Sequence, residues 1–307
     1  MSASDLDGEL RPRAFAIAYR MLGSVSEAED VVQEAFLRMH QTLRKDEPIA
    51  SPRAYIATLV TRLAIDQLRS ARLRRERYVG EWLPEPLATG PSPAEHAETA
   101  DSLSLAFLVL LESLSPQQRA AFLLREVFEY PYVEVAEIIG TNVDSTRHLV
   151  ARARSHLQER RPRYHASRRQ REDLAQRFFG AAERGDLRAL ETLLAQDVAL
   201  HGDGGGKVPA LARPVNGRER VARILSAGMS ALPRLGIRMQ VTEVNGQPGA
   251  MAFDSADRLI GVIGLGIAGG QVQTIHSITN PDKLRHLDRV GELGAPLRAG
   301  RRSGDDG

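Results

Sequence analysis

The sequence predicts a multidomain protein: two all-α domains, the second carrying a helix-turn-helix, then an α+β domain with a curved antiparallel sheet. Three observations predict it. Apolar residues recur at helical spacing from about Arg13 to Arg77 and again from about Asp101 to Gln158, with a proline- and glycine-rich stretch between. A short apolar helix, a glycine and a basic helix follow one another over Tyr132–Gln158. Beyond Asp197 the apolar pattern changes to period two. With 307 residues and 42% hydrophobic content, the chain can build several cores. The expected divisions are a helical domain over 8–77, a linker over 78–101, a second helical domain over 102–165, an α+β domain over 170–290 and a disordered tail over 291–307.

In the first domain, Phe15, Ala18, Tyr19 and Leu22 form a helical stripe that stops at Gly23. Ser26 followed by Glu29 has the capping-box pattern, in which hydroxyl and carboxylate satisfy each other's backbone amides. The helix so begun turns Val31, Val32, Ala35, Phe36 and Met39 inward and leaves Asp30, Gln33, Glu34, Leu37 and Arg38 outside. A third helix, from about Arg53, has the stripe Ile56, Leu59, Val60, Leu63 and Leu68, with Thr58, Thr61, Arg62 and Arg69 opposite.

Gly80, Pro84, Pro86, Gly90, Pro91 and Pro93 then exclude regular structure. Within this linker, Trp82-Leu83-Pro84-Glu85-Pro86 puts the chain's single tryptophan beside a leucine in an extended segment; such a pair is expected to dock rather than face water. The second domain has Ser115-Pro116 as a helix start. A turn at Tyr130-Pro131 leads to the helix-turn-helix. In the last domain, Leu174, Phe178 and Ala181, then Leu187, Leu190, Leu193 and Leu194, mark two helices around Gly185. Strands are expected at Val198–His201, Ile237–Val244, Ala250–Phe253, Leu259–Ile267 and Val272–Ile278.

A net charge of +2 conceals strong clustering. Six arginines lie between Arg62 and Arg77 against Asp66 and Glu76, and nine between Arg147 and Arg171 against Glu159. Two separated basic stretches suit two contacts with a polyanion. The absence of cysteine excludes disulfides and thiolate metal sites and fits a reducing cytoplasm. No apolar run has the roughly 20 residues of a membrane span. No metal ligand set, cofactor site or catalytic constellation is expected. Gly264-Leu265-Gly266-Ile267-Ala268-Gly269 matches a dinucleotide fingerprint, but strand-like residues follow where a helix is required.

On the second helix of the helix-turn-helix, Thr146, Leu149, Ala153 and Leu157 face the core. Asp144, Ser145, Arg147, His148 and Arg154 project toward a major groove, with Arg152 placed for phosphate.

Longer blocks carry a resemblance. Ala28–Arg38 resembles the polymerase-binding helix of extracytoplasmic-function sigma factors. Pro52-Arg53-Ala54-Tyr55 through Asp66-Gln67-Leu68-Arg69 resembles their −10-reading loop and helix, although family members often have tryptophan at Tyr55 and asparagine at Arg62. Leu114–Arg119, Val133–Ile139 and Arg152-Ala153-Arg154 resemble their −35-binding domain. Trp82-Leu83-Pro84-Glu85-Pro86, Asp203-Gly204-Gly205-Gly206-Lys207 and Asn280-Pro281-Asp282-Lys283-Leu284 are similar to motifs of the sigma-J-like subgroup, whose C-terminal SnoaL-like domain is a cone of helices around a sheet.

The resemblance implies sigma region 2, a linker, sigma region 4 and a SnoaL-like regulatory domain. It also implies core RNA polymerase and promoter DNA as partners, with no separate anti-sigma factor, and brings those three motifs near one another. It allows a small-molecule ligand in the cone. The implied contacts are Asp30, Gln33, Glu34, Leu37 and Arg38 for polymerase, Arg53, Tyr55, Thr58, Thr61, Arg62, Asp66 and Arg69 for the −10 element, and Asp144, Ser145, Arg147, His148, Arg152 and Arg154 for the −35 element. Two rivals are a ligand-responsive helix-turn-helix regulator without polymerase contact and a SnoaL-like enzyme using His201, Asp203 or His276.

Overall fold

The computed structural model describes residues 3–45, 49–75, 78–89, 102–158 and 167–291, so linker residues 90–101 and the expected tail beyond Gly291 lie outside the described residues. The chain forms two compact units, Met1–Arg77 with Leu108–Arg161, and Tyr78–Phe107 with Pro162–Gly307.

The first unit begins with α1 (Ala3–Leu22), α2 (Val25–Arg44) and α3 (Pro52–Arg75). Buried Ala14, Ile17, Ala18, Tyr19, Val32, Ala35, Met39, Val60 and Ala64 form their common core. Gly23 ends α1 in the left-handed region, φ 67°. The cap of α2 is Ser24, accepting from the Glu27 amide at 3.2 Å, two residues before the expected Ser26. Burial of Val25 and Ala28 explains why the helix starts earlier.

After α4 (Leu105–Leu111), α5 (Pro116–Phe122) opens with a complete capping box between Ser115 and Gln118. A π-helical turn, Leu123–Val127, leads to α6 (Tyr132–Ile139), Gly140 at φ 71° and α7 (Val143–Gln158). Arginines join the two helical groups of this unit through backbone carbonyls. Arg119, 2% exposed, donates to Met21 O at 2.6 Å, Leu111 O at 2.7 Å and Glu112 Oε1 at 2.9 Å. Arg13 donates to Phe128 O at 3.0 Å and lies over the Phe128 and Tyr130 rings.

The second unit has α8 (Arg168–Glu183), α9 (Leu187–Leu193) and α10 (Arg218–Ala231), with β1 (Leu194–Asp203), β2 (Val215–Asn216), β3 (Arg238–Val244), β4 (Gln247–Phe253), β5 (Leu259–Ala268) and β6 (Gln271–Ile278). The strand order is β2-β1-β6-β5-β4-β3. The expected wholly antiparallel sheet is corrected: β1 and β6 pair in parallel, so the sheet is mixed. β2, α10 and β3 to β5 lie between them in sequence, and alternation alone does not reveal strand direction. α10 itself was not among the expected elements, although buried Val221, Ala222, Leu225 and Met229 give it helical spacing.

Helices and sheet meet on one cluster that includes Phe178, Phe179, Leu190, Val198, Leu200, Leu225, Leu265 and Ile275. The glycine fingerprint resolves into strand β5 and the Gly269-Gly270 hairpin turn, φ 59° and 72°. A Cβ at Gly264 would stand 2.7 Å from Leu105 Cδ1, so the glycine admits a close approach of the incoming segment.

Replacing Arg119 with Met would remove the donors that the Met21 and Leu111 carbonyls and Glu112 Oε1 accept from. Denaturant unfolding of the full chain is expected to lose about 3 kcal/mol in the transition of the first unit. An unchanged midpoint would show that those carbonyls find other donors.

Candidate functional site

On α2, Asp30, Gln33, Glu34, Leu37 and Arg38 share one face. All but half-buried Glu34 are exposed, and Leu37 is 53% exposed. Arg38 Nε donates to Glu34 Oε1 at 2.7 Å. Leu37 thus stands exposed beside the Glu34–Arg38 ion pair.

On α3, Arg53, Arg62, Asp66 and Arg69 are exposed and Tyr55 and Thr58 half-buried. Tyr55 Oη meets Thr42 Oγ1 at 3.0 Å, Thr58 Oγ1 donates to Ala54 O at 2.9 Å, and Arg69 pairs with Asp66 at 3.3 Å. Thr61 is corrected. It is 0% exposed, because its helical phase places it among Ala57, Ala64, Ile65 and Leu68, and so it is not on the outward face. Arg62 donates to Ile138 O at 2.9 Å and Glu137 O at 3.0 Å, the last carbonyls of α6.

On α7, Asp144, Ser145, Arg147, His148, Arg152 and Arg154 are all exposed, while Thr146, Val150, Ala153 and Leu157 are buried. Asn142 Oδ1 accepts from the Ser145 amide at 2.8 Å at the helix start.

The second unit contains the densest polar cluster, and it joins the three motifs of the linker and C-terminal domain. Asp203, 0% exposed at the end of β1, accepts from four donors. Its Oδ1 takes Tyr78 Oη at 2.6 Å and the Gly205 amide at 3.0 Å; its Oδ2 takes the Leu83 amide at 2.8 Å and Lys283 Nζ at 2.7 Å. Lys283 Nζ also donates to Leu83 O and lies 4.2 Å from the Trp82 ring centroid and 5.0 Å from that of Tyr78. The backbone of Leu83 is therefore held at both its N–H and its C=O by one buried ion pair.

Leu83, Pro84, Glu85 and Pro86 are buried, and His286 Nε2 lies 2.7 Å from Pro86 O. Asn280 donates from Nδ2 to Tyr78 Oη at 2.7 Å and caps the Pro281–Lys283 turn through the Asp282 amide at 3.1 Å. Lys207 pairs with Asp282, and Leu284 is buried beside them in sequence. Side chains at Gly204 or Gly205 would strike Val208 O or the Asn280 amide, so only glycine fits that loop. Burial, and then the hydrogen bond to Asp203, raises the Tyr78 phenol well above its ordinary pKa.

Glu81, Asn245 and the meeting of His201 with His276 were not foreseen. Parallel pairing sets His201 opposite His276, with rings stacked at 5.1 Å, and His201 Nδ1 meets linker Glu81 Oε1 at 2.7 Å. Buried Asn245 accepts from the Leu87 amide at 2.8 Å and donates to Leu103 O at 3.0 Å. Its Asn245-Gly246 hairpin signal was readable in the sequence. Thus the polar groups of the enzyme reading, Asp203 and His201, bond to the linker. Among the described residues no group of three or more His, Asp or Glu is placed to hold a metal, and no helix is long and apolar enough to cross a membrane.

Three helices presenting a polar and leucine face, a helix-turn-helix with an outward basic helix, and an α+β domain holding their connecting segment define a promoter-recognition protein. Residues 6–74 match the family Sigma-70 region 2 and residues 104–157 match Sigma-70, region 4. The chain is 36% identical over 319 residues to the ECF RNA polymerase sigma factor SigJ of Mycobacterium tuberculosis (strain ATCC 25618 / H37Rv), covering 97% of this chain and 95% of that protein. It is 31% identical over 274 residues to the probable ECF RNA polymerase sigma factor SigI of the same organism, covering 88% and 91%. The crystal structure of M. tuberculosis SigJ superposes with a TM-score of 0.73 at 33% identity, covering 92% of this chain and 98% of that one. The chain belongs to the extracytoplasmic-function RNA polymerase sigma factors, with the SnoaL-like C-terminal architecture of SigJ.

His276 is wholly buried, and burial followed by its neighbour His201 lowers its pKa to about 3. The folded state thus prefers neutral imidazole, and this stability is present above about 6.5 and lost as pH falls toward 3. Melting of the full chain should drop across that window, and less so for His276→Gln; parallel curves would remove His276 as the cause. Lys283→Met leaves Asp203 buried without its cation and should cost about 3–5 kcal/mol in the second unit by denaturant unfolding.

Proposed function

We propose that this sigma factor binds core RNA polymerase through Asp30, Gln33, Glu34, Leu37 and Arg38. It meets the −10 element through Arg53, Tyr55, Thr58, Arg62, Asp66 and Arg69, and the −35 element through Asp144, Ser145, Arg147, His148, Arg152 and Arg154. The C-terminal domain regulates both contacts by holding the segment that joins regions 2 and 4. Capture of the Leu83 peptide between Asp203 and Lys283 is the observation that carries the regulatory part. A domain in the same chain does the restraining, so a separate anti-sigma protein is not required. The protein works in the cytoplasm, where its partners are, and initiation chemistry belongs to the polymerase.

Distances within the first unit favour a closed resting state. Arg62 bonds Ile138 O, and only six residues separate Ile138 from Asp144, a reach of at most about 22 Å. Promoter elements near −35 and −10 are about 25 base pairs apart, about 85 Å of duplex. Reading both at once therefore requires region 4 to leave α3, and the freedom of the linker sets how readily it does so.

Transcription reconstituted with core enzyme tests this, comparing the full chain, a chain ended near residue 166, and Lys283→Met. Releasing the linker should change promoter output several-fold in the same direction for both variants. Equal output from all three disposes of the regulatory reading, and loss of core binding on Leu37→Asp is expected if α2 is the polymerase face.

A further inference from the structure

Three features of the helix-turn-helix are unused by the assignments above, and they adjoin. The turn before it, Leu123–Val127, is π-helical, closed by the Phe128 amide on Leu123 O at 3.0 Å. π turns rotate the residues they carry out of the ordinary helical phase and often mark functional positions. Here the turn carries Arg125, which reaches the start of α6, and Glu126, which reaches α7. Tyr132, the first residue of α6, is half-buried and has two guanidinium groups on its ring: Arg125 at 4.8 Å and Arg147 at 5.7 Å from the centroid. Glu126 Oε1 accepts from Arg154 Nη2 at 2.8 Å. That hydrogen bond raises the Arg154 pKa further.

Two like charges do not gather on one half-buried ring without a reason. Each cation is attracted to the ring's electron-rich face; Asp144 Oδ1, 3.3 Å from Arg147 Nη1, offsets part of their mutual repulsion, and a polyanion lying against them would offset the rest. Arg125 is further anchored by Nη1 on Tyr130 O at 3.2 Å. Tyr132 is thus a platform that sets the direction of one arginine inside the recognition helix and one outside it. Glu126 restrains a third, Arg154, from the same turn.

We infer that Arg125 is an additional DNA-phosphate contact of region 4, and that Tyr132 and Glu126 are positioning residues that aim Arg125, Arg147 and Arg154 at the duplex. The inference rests on the reading that α7 meets DNA. In it, the DNA-facing surface does not end with α7 but continues onto the π turn. Arg125 contributes to affinity without reading bases, as a phosphate contact does. Tyr132 acts through the arginines, so a phenylalanine ring serves as well as tyrosine, whereas an aliphatic side chain does not.

The test uses the full chain reconstituted with core polymerase, core alone as background, and a mixed-sequence 30-base-pair duplex whose binding is followed from low to high salt. Arg125→Ala should make the log–log salt slope shallower by about 0.9, the loss of one phosphate contact. Tyr132→Leu should weaken binding by about three- to ten-fold, within the worth of such cation–ring contacts; Tyr132→Phe should stay within two-fold, and Glu126→Gln should lower selectivity among duplexes enriched from a random pool. Melting curves separate misfolding of Tyr132→Leu from lost aim, and Arg125→Ala, at a partly exposed side chain, carries the test independently. If Arg147→Ala flattens the slope while Arg125→Ala and Tyr132→Leu match the parent, the platform is overturned and the recognition helix stands. If Arg147→Ala also matches the parent, the reading of α7 fails and takes the platform with it.

Discussion

Capture of the backbone of one residue, Leu83, organises the second unit. Lys283 and Asp203 neutralise each other in a place without water, and each has a further hydrogen-bonding demand to satisfy. The Leu83 amide and carbonyl answer both demands. Buried ion pairs gain little unless every remaining donor and acceptor finds a partner. Here Tyr78, Gly205, Asn280 and the ring of Trp82 complete the set, so the linker is a structural part of the domain rather than a ligand resting on it. The glycines at 204 and 205 and the prolines at 84 and 86 follow from the same requirement: the loop must pass close, and the linker must stay extended.

Much of this was legible in the sequence, for identifiable reasons. Ser115-Pro116, Gly23 and Gly140 punctuate helices through local chemistry that needs no tertiary context, and they stand where expected. The outward positions of α7 follow from period alone. The odd tryptophan-leucine pair in a proline-rich tether predicted docking, and the docking partner is an ion pair split between two distant motifs. Other features depended on information that period does not hold. Thr61 is polar yet sits in the buried stripe, so reading polarity as exposure misplaced it. Strand alternation in β1 and β6 is the same for either direction, which hid the parallel pairing and with it the meeting of His201 with His276. α10 was overlooked though its apolar spacing was present.

The departure at Arg62 gains a physical meaning in the first unit. Where relatives often have asparagine, the longer side chain spans to the C-terminal carbonyls of α6, where a cation also complements the helix dipole. Arg13 and Arg119 use the same chemistry elsewhere in the unit. Guanidinium groups that bind phosphate in one state can bind carbonyl oxygens in another, because both present oxygen acceptors to a planar fork of donors.

Two hundred residues lie between Leu83 and the lysine that grips its carbonyl. A ribosome adding about 5–20 residues per second needs about 10–40 s to travel that distance. Over the last 125 of them, from the end of α7 at Gln158 to Lys283, about 6–25 s, the nascent chain carries every helix from α1 to α7 while the lysine that grips Leu83 has yet to be made. Each newly synthesised molecule therefore passes through an interval in which Leu83 has yet to meet the lysine that completes its hydrogen bonds.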